Sequence, residues 1–135
     1  MSLFDLGKIC LFSETRGQVV IEGKPVEGVT VIRKVLWQNK TSSETVRTDK
    51  DGNFHFNARF TNSFTKFMPV EAVITQNIIL QYQGQDYEGW KTNKRDYEEN
   101  SELNGKPIQL ICDLKNKSVV NEEGSQVIKG ICRWK

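Results

Sequence analysis

Apolar and polar side chains alternate along most of this chain, and turn-forming residues interrupt the alternation about every ten residues. A period of two sends successive side chains to opposite faces of an extended backbone, so β-strands, not helices, can bury such a pattern on one side. The pattern predicts an all-β fold, a single antiparallel β-sandwich of about seven to nine strands. One core is expected, because dividing 135 residues in two would leave each half too little buried surface. The sandwich should therefore span residues 1–135 as one domain.

The strands can be read from their turns. Gln18-Val19-Val20-Ile21-Glu22 ends at Gly23-Lys24-Pro25, and a β-branched run from Val29 to Trp37 follows Gly28. These two should pair. A polar loop over 38–43 leads to Glu44-Thr45-Val46-Arg47-Thr48, and Asp51-Gly52 should turn that strand back into Asn53-Phe54-His55-Phe56-Asn57, with both phenylalanines on one face. Phe60, Phe64, Phe67 and Met68 recur at spacings of three and four before Pro69, which suits one short helix or loop capping an open end of the core. The stretch 70–83 turns at Gly84-Gln85 into a further strand through Trp90. Residues 92–105 are polar and charged, and the runs 108–114 and 127–134 close the fold.

The charge balance excludes several partners. Nineteen basic and 17 acidic residues leave a net charge of +2, too little to draw in nucleic acid or an anionic membrane. No apolar run reaches the roughly 18 residues that span a bilayer. The opening residues, Met1 to Cys10, lack a basic start, an apolar core and a cleavage site, so a cytoplasmic protein is expected, or a periplasmic one if a leader has been trimmed. The three cysteines, at 10, 112 and 132, lack the spacing of a zinc or redox motif. Cys112 and Cys132 are centred on the turn-like Asn121-Glu122-Glu123-Gly124, which would set them opposite each other in a hairpin. That arrangement permits a disulfide without requiring one, and buried thiols are the alternative in a reducing compartment.

Two resemblances add to this reading. Arg16-Gly17-Gln18-Val19, Gly23-Lys24-Pro25-Val26-Glu27-Gly28-Val29-Thr30-Val31 and Thr48-Asp49-Lys50-Asp51-Gly52-Asn53-Phe54-His55-Phe56 together resemble the first half of the carboxypeptidase regulatory-like domains. That resemblance implies a transthyretin-like, or prealbumin-like, sandwich. The whole chain is also similar to a family of small bacterial proteins of undefined function. The shared pieces are Ile9-Cys10-Leu11-Phe12-Ser13, the strand of Trp37, Met68-Pro69-Val70-Glu71, Glu99-Asn100-Ser101-Glu102-Leu103, Gly105-Lys106-Pro107 and Cys132-Arg133-Trp134. Some members of that family look like companions of secreted antibacterial toxins. The resemblance implies an immunity or adaptor protein whose partner is a toxin encoded by a neighbouring gene.

Catalytic chemistry finds little support in the residues. His55 is the single histidine, and no serine, cysteine or carboxylate is spaced with it as a nucleophilic triad would suggest. Transthyretin-like hydrolases of purine breakdown use several histidines and end in Tyr-Arg-Gly-Ser, whereas this chain ends Cys-Arg-Trp-Lys. Placing Gly52 at the invariant glycine of a calcium loop would put Arg47 and Ala58 at ligand positions, so the Asp49 to Asn53 segment is read as a turn. No cofactor or metal is expected, and neither is an enzyme.

The leading expectation is a non-enzymatic protein-binding module. Tyr87, Trp90 and Tyr97 would anchor a partner, because aromatic rings bring large contact area with a polar handle. Lys94, Arg95, Glu98 and Glu99 would set partner choice. The alternative is an accessory structural or carbohydrate-associated β-sandwich. Oligomeric state is open.

Overall fold

The computed structural model of the chain describes residues 6–124 and 126–134. Residues 1–5, part of the stretch read as lacking a leader, lie outside the described residues, as do Ser125 and Lys135. The described residues form β1 (Lys8–Phe12), β2 (Thr15–Ile21), β3 (Lys24–Pro25), β4 (Thr30–Trp37), β5 (Lys40–Arg47), β6 (Asn53–Phe56), β7 (Arg59–Asn62), β8 (Ile74–Tyr82), β9 (Gln85–Lys94), β10 (Ile108–Asp113), β11 (Val119–Glu123), β12 (Gln126–Gly130) and β13 (Cys132–Arg133). A single 3-10 turn, Phe64–Phe67, is the only helical element among them.

The fold is all-β and sandwich-like. One sheet has six antiparallel strands in the order β11-β12-β9-β8-β4-β5; the other runs β13-β10-β2-β3, with β6 also paired to β2; β1 and β7 form a separate ribbon. The alternation explains the layers. Val31 and Val35 of β4, Ile78 and Leu80 of β8, and Trp90 of β9 face Val19, Phe54, Phe56, Leu110 and Cys112 from the other sheet in one buried core. His55 lies on the opposite face of β6 from the two phenylalanines, as the period of two requires.

Several pairings differ from those the turns suggest. β2 and β4 do not pair: Lys24–Pro25 folds back on β2, and β4 instead lies between β5 and β8 in the opposite sheet. β5 and β6 likewise belong to different sheets, so the Asp49 to Gly52 turn crosses the sandwich and does not close a hairpin. The Asp49 carboxylate accepts the Asp51 and Asn53 N–H groups, which holds that crossing. The polar residues 38–43 are not a loop. Gln38 and Asn39 both adopt positive φ and join β4 to β5 as a tight hairpin, as Gln83-Gly84 joins β8 to β9. Strand antiparallelism also fails once, because β2 and β10 run parallel, with Thr15 beside Ile108 and Val20 beside Asp113. Parallel neighbours need a long connection, and here most of the chain lies between them.

The expected cap over 58–69 is also corrected. Phe64, Phe67 and Met68 point away from the core and are 86%, 61% and 58% exposed. The end of the sandwich is closed instead by β1, whose Leu11 and Cys10 carbonyls accept hydrogen bonds from the inward side chains of Gln76 and Lys94.

The last fifth or so of the chain, from Ile108 to Arg133, is a long hairpin whose two arms both change sheets. β10 and β13 pair in one sheet with Cys112 opposite Cys132, while β11 and β12 pair in the other. The arms are unequal: residues 114–118 make one crossing and Ile131 alone makes the other. The short crossing fits because Gly130 lies against the backbone of Gly89, where any Cβ would collide. Gly89 is the extra residue of a β-bulge between Trp90 and Glu88, and a side chain there would meet the Cys132 sulfur at 2.9 Å. Cys112 and Cys132 are joined as a disulfide at this corner, and Cys10 is a free, buried cysteine.

Candidate functional site

The polar, charged stretch 92–105, expected to carry much of the partner surface, includes most of the connection from β9 to β10, residues 95–107. Its base is built into the interior. Lys94 is fully buried, and its ammonium donates to the carbonyls of Cys10 and Asp96 and to the Asp96 carboxylate at 3.0–3.1 Å, using all three protons. Asp96 in turn accepts the Glu98 N–H and the Ser101 hydroxyl. Partial burial pushes the Asp96 carboxyl up, but the hydrogen bonds from Ser101, Glu98 and Lys94 outweigh it and hold Asp96 below the usual carboxylate range.

A second buried acid fixes the far end of the loop. Glu102 is fully buried and accepts the Ser13 hydroxyl at 2.7 Å, the Ser13 N–H at 2.9 Å and the Gln76 amide at 3.0 Å. Gln76 also accepts the Trp90 indole N–H, and the Ser13 hydroxyl accepts the Asn100 N–H. Arg33 completes the polar interior. Its guanidinium lies between the rings of Phe12 and Phe56 at 4.7 and 4.8 Å and reaches the Ser13 carbonyl, the Asn57 carbonyl and Glu44. Apart from Arg33 Nε, which is buried without a hydrogen-bond partner, these groups bond one another inside the fold and position the loop. Burial pushes the nearby Cys10 thiol above its usual value, the opposite of what an activated nucleophile needs.

The anticipated partner residues therefore divide into two sets. Trp90 is fully buried against Phe12 and Trp134, and Lys94 is fully buried as described; neither can touch a partner. Tyr87 and Tyr97 are half-buried and packed on the core, Tyr97 edge-on to Trp37. Arg95, Glu98 and Glu99 are exposed. The bulge at Gly89 explains why two aromatics three residues apart both turn inward: Tyr87 pairs with Leu80 and Trp90 with Ile78, and the bulge absorbs the odd residue.

The exposed members do not stand alone. Arg95 forms an ion pair with Glu71, which ties the loop to the segment after the 3-10 turn. Gln38 bonds Thr65 within that turn, and Ser63 caps it. Phe64, Phe67, Met68 and Val70 form a run of apolar side chains, each more than half exposed, that ends next to Glu71, the ion-pair partner of Arg95; Glu98 and Glu99 are exposed further along the same loop. Helical spacing suggested a core-facing cap, and nothing in the sequence indicated that these side chains would face solvent.

The single histidine sits elsewhere, with His55 Nε2 at 2.9 Å from Glu14, and this hydrogen bond holds the exposed Glu14 carboxyl below its usual value. No cysteine or serine joins them in a hydrogen bond among the described residues. No three His, Cys, Asp or Glu side chains converge as metal ligands among the described residues. No helix among them is long and apolar enough to cross a membrane.

No curated protein matches the chain. A family model, described as a domain of unknown function (DUF6795), matches residues 15–117, from the first residue of β2 to the segment before β11. The match takes in the buried lysine and glutamate, the exposed apolar run and the charged rim, and on this basis the chain belongs to the DUF6795 family.

Proposed function

We propose that this chain is a non-enzymatic protein-binding module whose contact surface is the apolar run Phe64 to Val70 with Arg95, Glu98 and Glu99 at its rim. The observation that carries the reading is the exposure of Phe64, Phe67, Met68 and Val70 on a segment tied down by hydrogen bonds and an ion pair. A cluster of exposed apolar side chains bordered by charge is the usual composition of a protein contact, with aromatics and methionine at its centre. A segment that is already ordered binds at lower entropic cost.

In its finer form the reading makes the partner a secreted antibacterial toxin and this chain the immunity protein, as the whole-chain resemblance implies, on a transthyretin-like scaffold. The two facing sheets around one core support the scaffold. The Cys112–Cys132 bond favours work in an oxidising compartment such as the periplasm over the cytoplasm. Titration calorimetry against the product of the neighbouring gene tests the proposal. A Phe64→Ser, Phe67→Ser variant should lose at least about tenfold in affinity, the effect of about 1.4 kcal/mol. Undiminished affinity would place the contact elsewhere.

The alternative, an accessory carbohydrate-associated domain, draws on a cleft of about 580 Å³ lined by Pro107, Gln109, Ile111, Arg133 and Trp134. A glycan screen with saturable binding lost in Trp134→Ala would favour it.

A further inference from the structure

The outer face of the six-stranded sheet carries a line of like charge. Lys34 of β4 pairs with Asn77 of β8, Asn77 with Lys91 of β9, and Lys91 with Lys129 of β12. These four residues form one continuous cross-strand row, and strand spacing of about 5 Å puts each lysine on its own strand within about 15 Å of the others. None of the three lysines makes an ion pair or a side-chain hydrogen bond among the described residues, although six lysine or arginine ion pairs occur elsewhere among them. Like charges directly opposite each other on a sheet are unfavourable, so the row works against the free protein. At its centre Asn77 Oδ1 is buried and accepts no hydrogen bond.

The rows on either side are aliphatic or neutral apart from one carboxylate each, Glu88 opposite Ile79 and Glu122 opposite Val127. Ile32 pairs with Ile79 on one side, and Leu36 with Thr75 on the other, where Val127 is also 52% exposed. Glu122, Asp86 and Glu88 lie on or near this face, and none pairs with a lysine of the row.

We infer that this face docks an acidic protein segment, whose carboxylates lie along Lys34, Lys91 and Lys129 while its apolar side chains rest on Ile32, Ile79, Leu36 and Val127. The three lysines outnumber the two flanking carboxylates and pair with neither, so the face complements an anion. The flanking aliphatic rows favour a polypeptide over a nucleic acid, since the three rows hold no aromatic ring on which a base could stack. This surface is separate from the Phe64 segment, so the two proposals stand or fall independently.

The test uses isotope-labelled full-length protein titrated with a decapeptide of alternating glutamate and valine, alongside its glutamine–valine counterpart, a ten-nucleotide oligothymidylate and phosphatidylserine vesicles. The acidic peptide should shift amides of β4, β8, β9 and β12, weaken with added salt, and lose at least tenfold in affinity in Lys34→Glu, Lys91→Glu, Lys129→Glu. Lys91→Gln alone, which keeps the strand and removes one charge, should lose about two- to threefold and covers the case in which the triple variant does not fold. Equal binding of the glutamine peptide, unchanged affinity in the variants, or tighter binding of the oligonucleotide or the vesicles at the same amides would overturn the inference. So would acidic-peptide shifts confined to the Phe64 segment.

Discussion

Glu102 is bound twice to Ser13, by the hydroxyl at 2.7 Å and by the backbone N–H at 2.9 Å, across 89 residues of chain. This pair locks the end of the β9–β10 connection to the corner between β1 and β2. Glu102→Ala would leave buried donors on Ser13 and Gln76 without a partner and should cost about 3 kcal/mol. Ser13→Ala should cost about 1–2 kcal/mol. Urea unfolding of both singles and the double should give a coupling energy above about 1 kcal/mol; simple additivity would mean that the two groups do not act as a unit.

Trp90 and Phe64 should behave oppositely. Trp90 is wholly enclosed and Phe64 is 86% exposed. Trp90→Ala should destabilise by about 3–5 kcal/mol through the cavity it leaves. Phe64→Ala should stay within about 0.5 kcal/mol. Thermal and chemical unfolding check both, and comparable losses would contradict the burial described above.

Acid should loosen the charged loop. A folded-state value held below the usual one means that Asp96 contributes stability that is fully present above its unfolded value, about pH 4, and is lost as pH falls through the lower folded value. The Glu98 amide, which donates to Asp96, should therefore titrate below the usual carboxylate range when followed by NMR. Asp96→Asn should make that titration vanish. A midpoint at or above pH 4 in the unmodified protein would be the contrary result.

The disulfide has a direct chemical readout. Denatured, unreduced protein should show one reactive thiol, from Cys10, and three after reduction. Closing a loop with a sequence separation of 20 should contribute about 3 kcal/mol, so Cys112→Ala, Cys132→Ala should lower stability by about that amount. Three thiols before reduction would rule the bond out.

Local signals in the sequence were enough for strands and turns and failed for sheet membership. Gly84 marks the reversal from β8 to β9, and Phe54 and Phe56 share an inward face, because both facts depend on neighbouring residues alone. Whether β4 pairs with β2 or crosses to the other sheet depends on contacts made by β8 and β10, which are distant in sequence. Cys112 and Cys132 do face each other as a hairpin would place them, but through arms that change sheets unequally. The candidate surface was legible only at Arg95, Glu98 and Glu99. Trp90 and Lys94 read as surface groups because an inward lysine contradicts the simple pattern, and its compensation by the Cys10 and Asp96 carbonyls is a matter of tertiary geometry. Phe64 and Phe67 read as core for the converse reason: apolar spacing carries no information on whether an opposing surface exists.

The ordered apolar run and its charged rim are the proposed contact surface. Amide hydrogen exchange of the chain, free and bound to the product of the neighbouring gene, tests it most directly. Added protection is expected over residues 63–71 and 95–99, with β2, β6 and β10 unchanged. Protection confined to β2, β6 and β10, with the Phe64 segment exchanging as in the free protein, would contradict it.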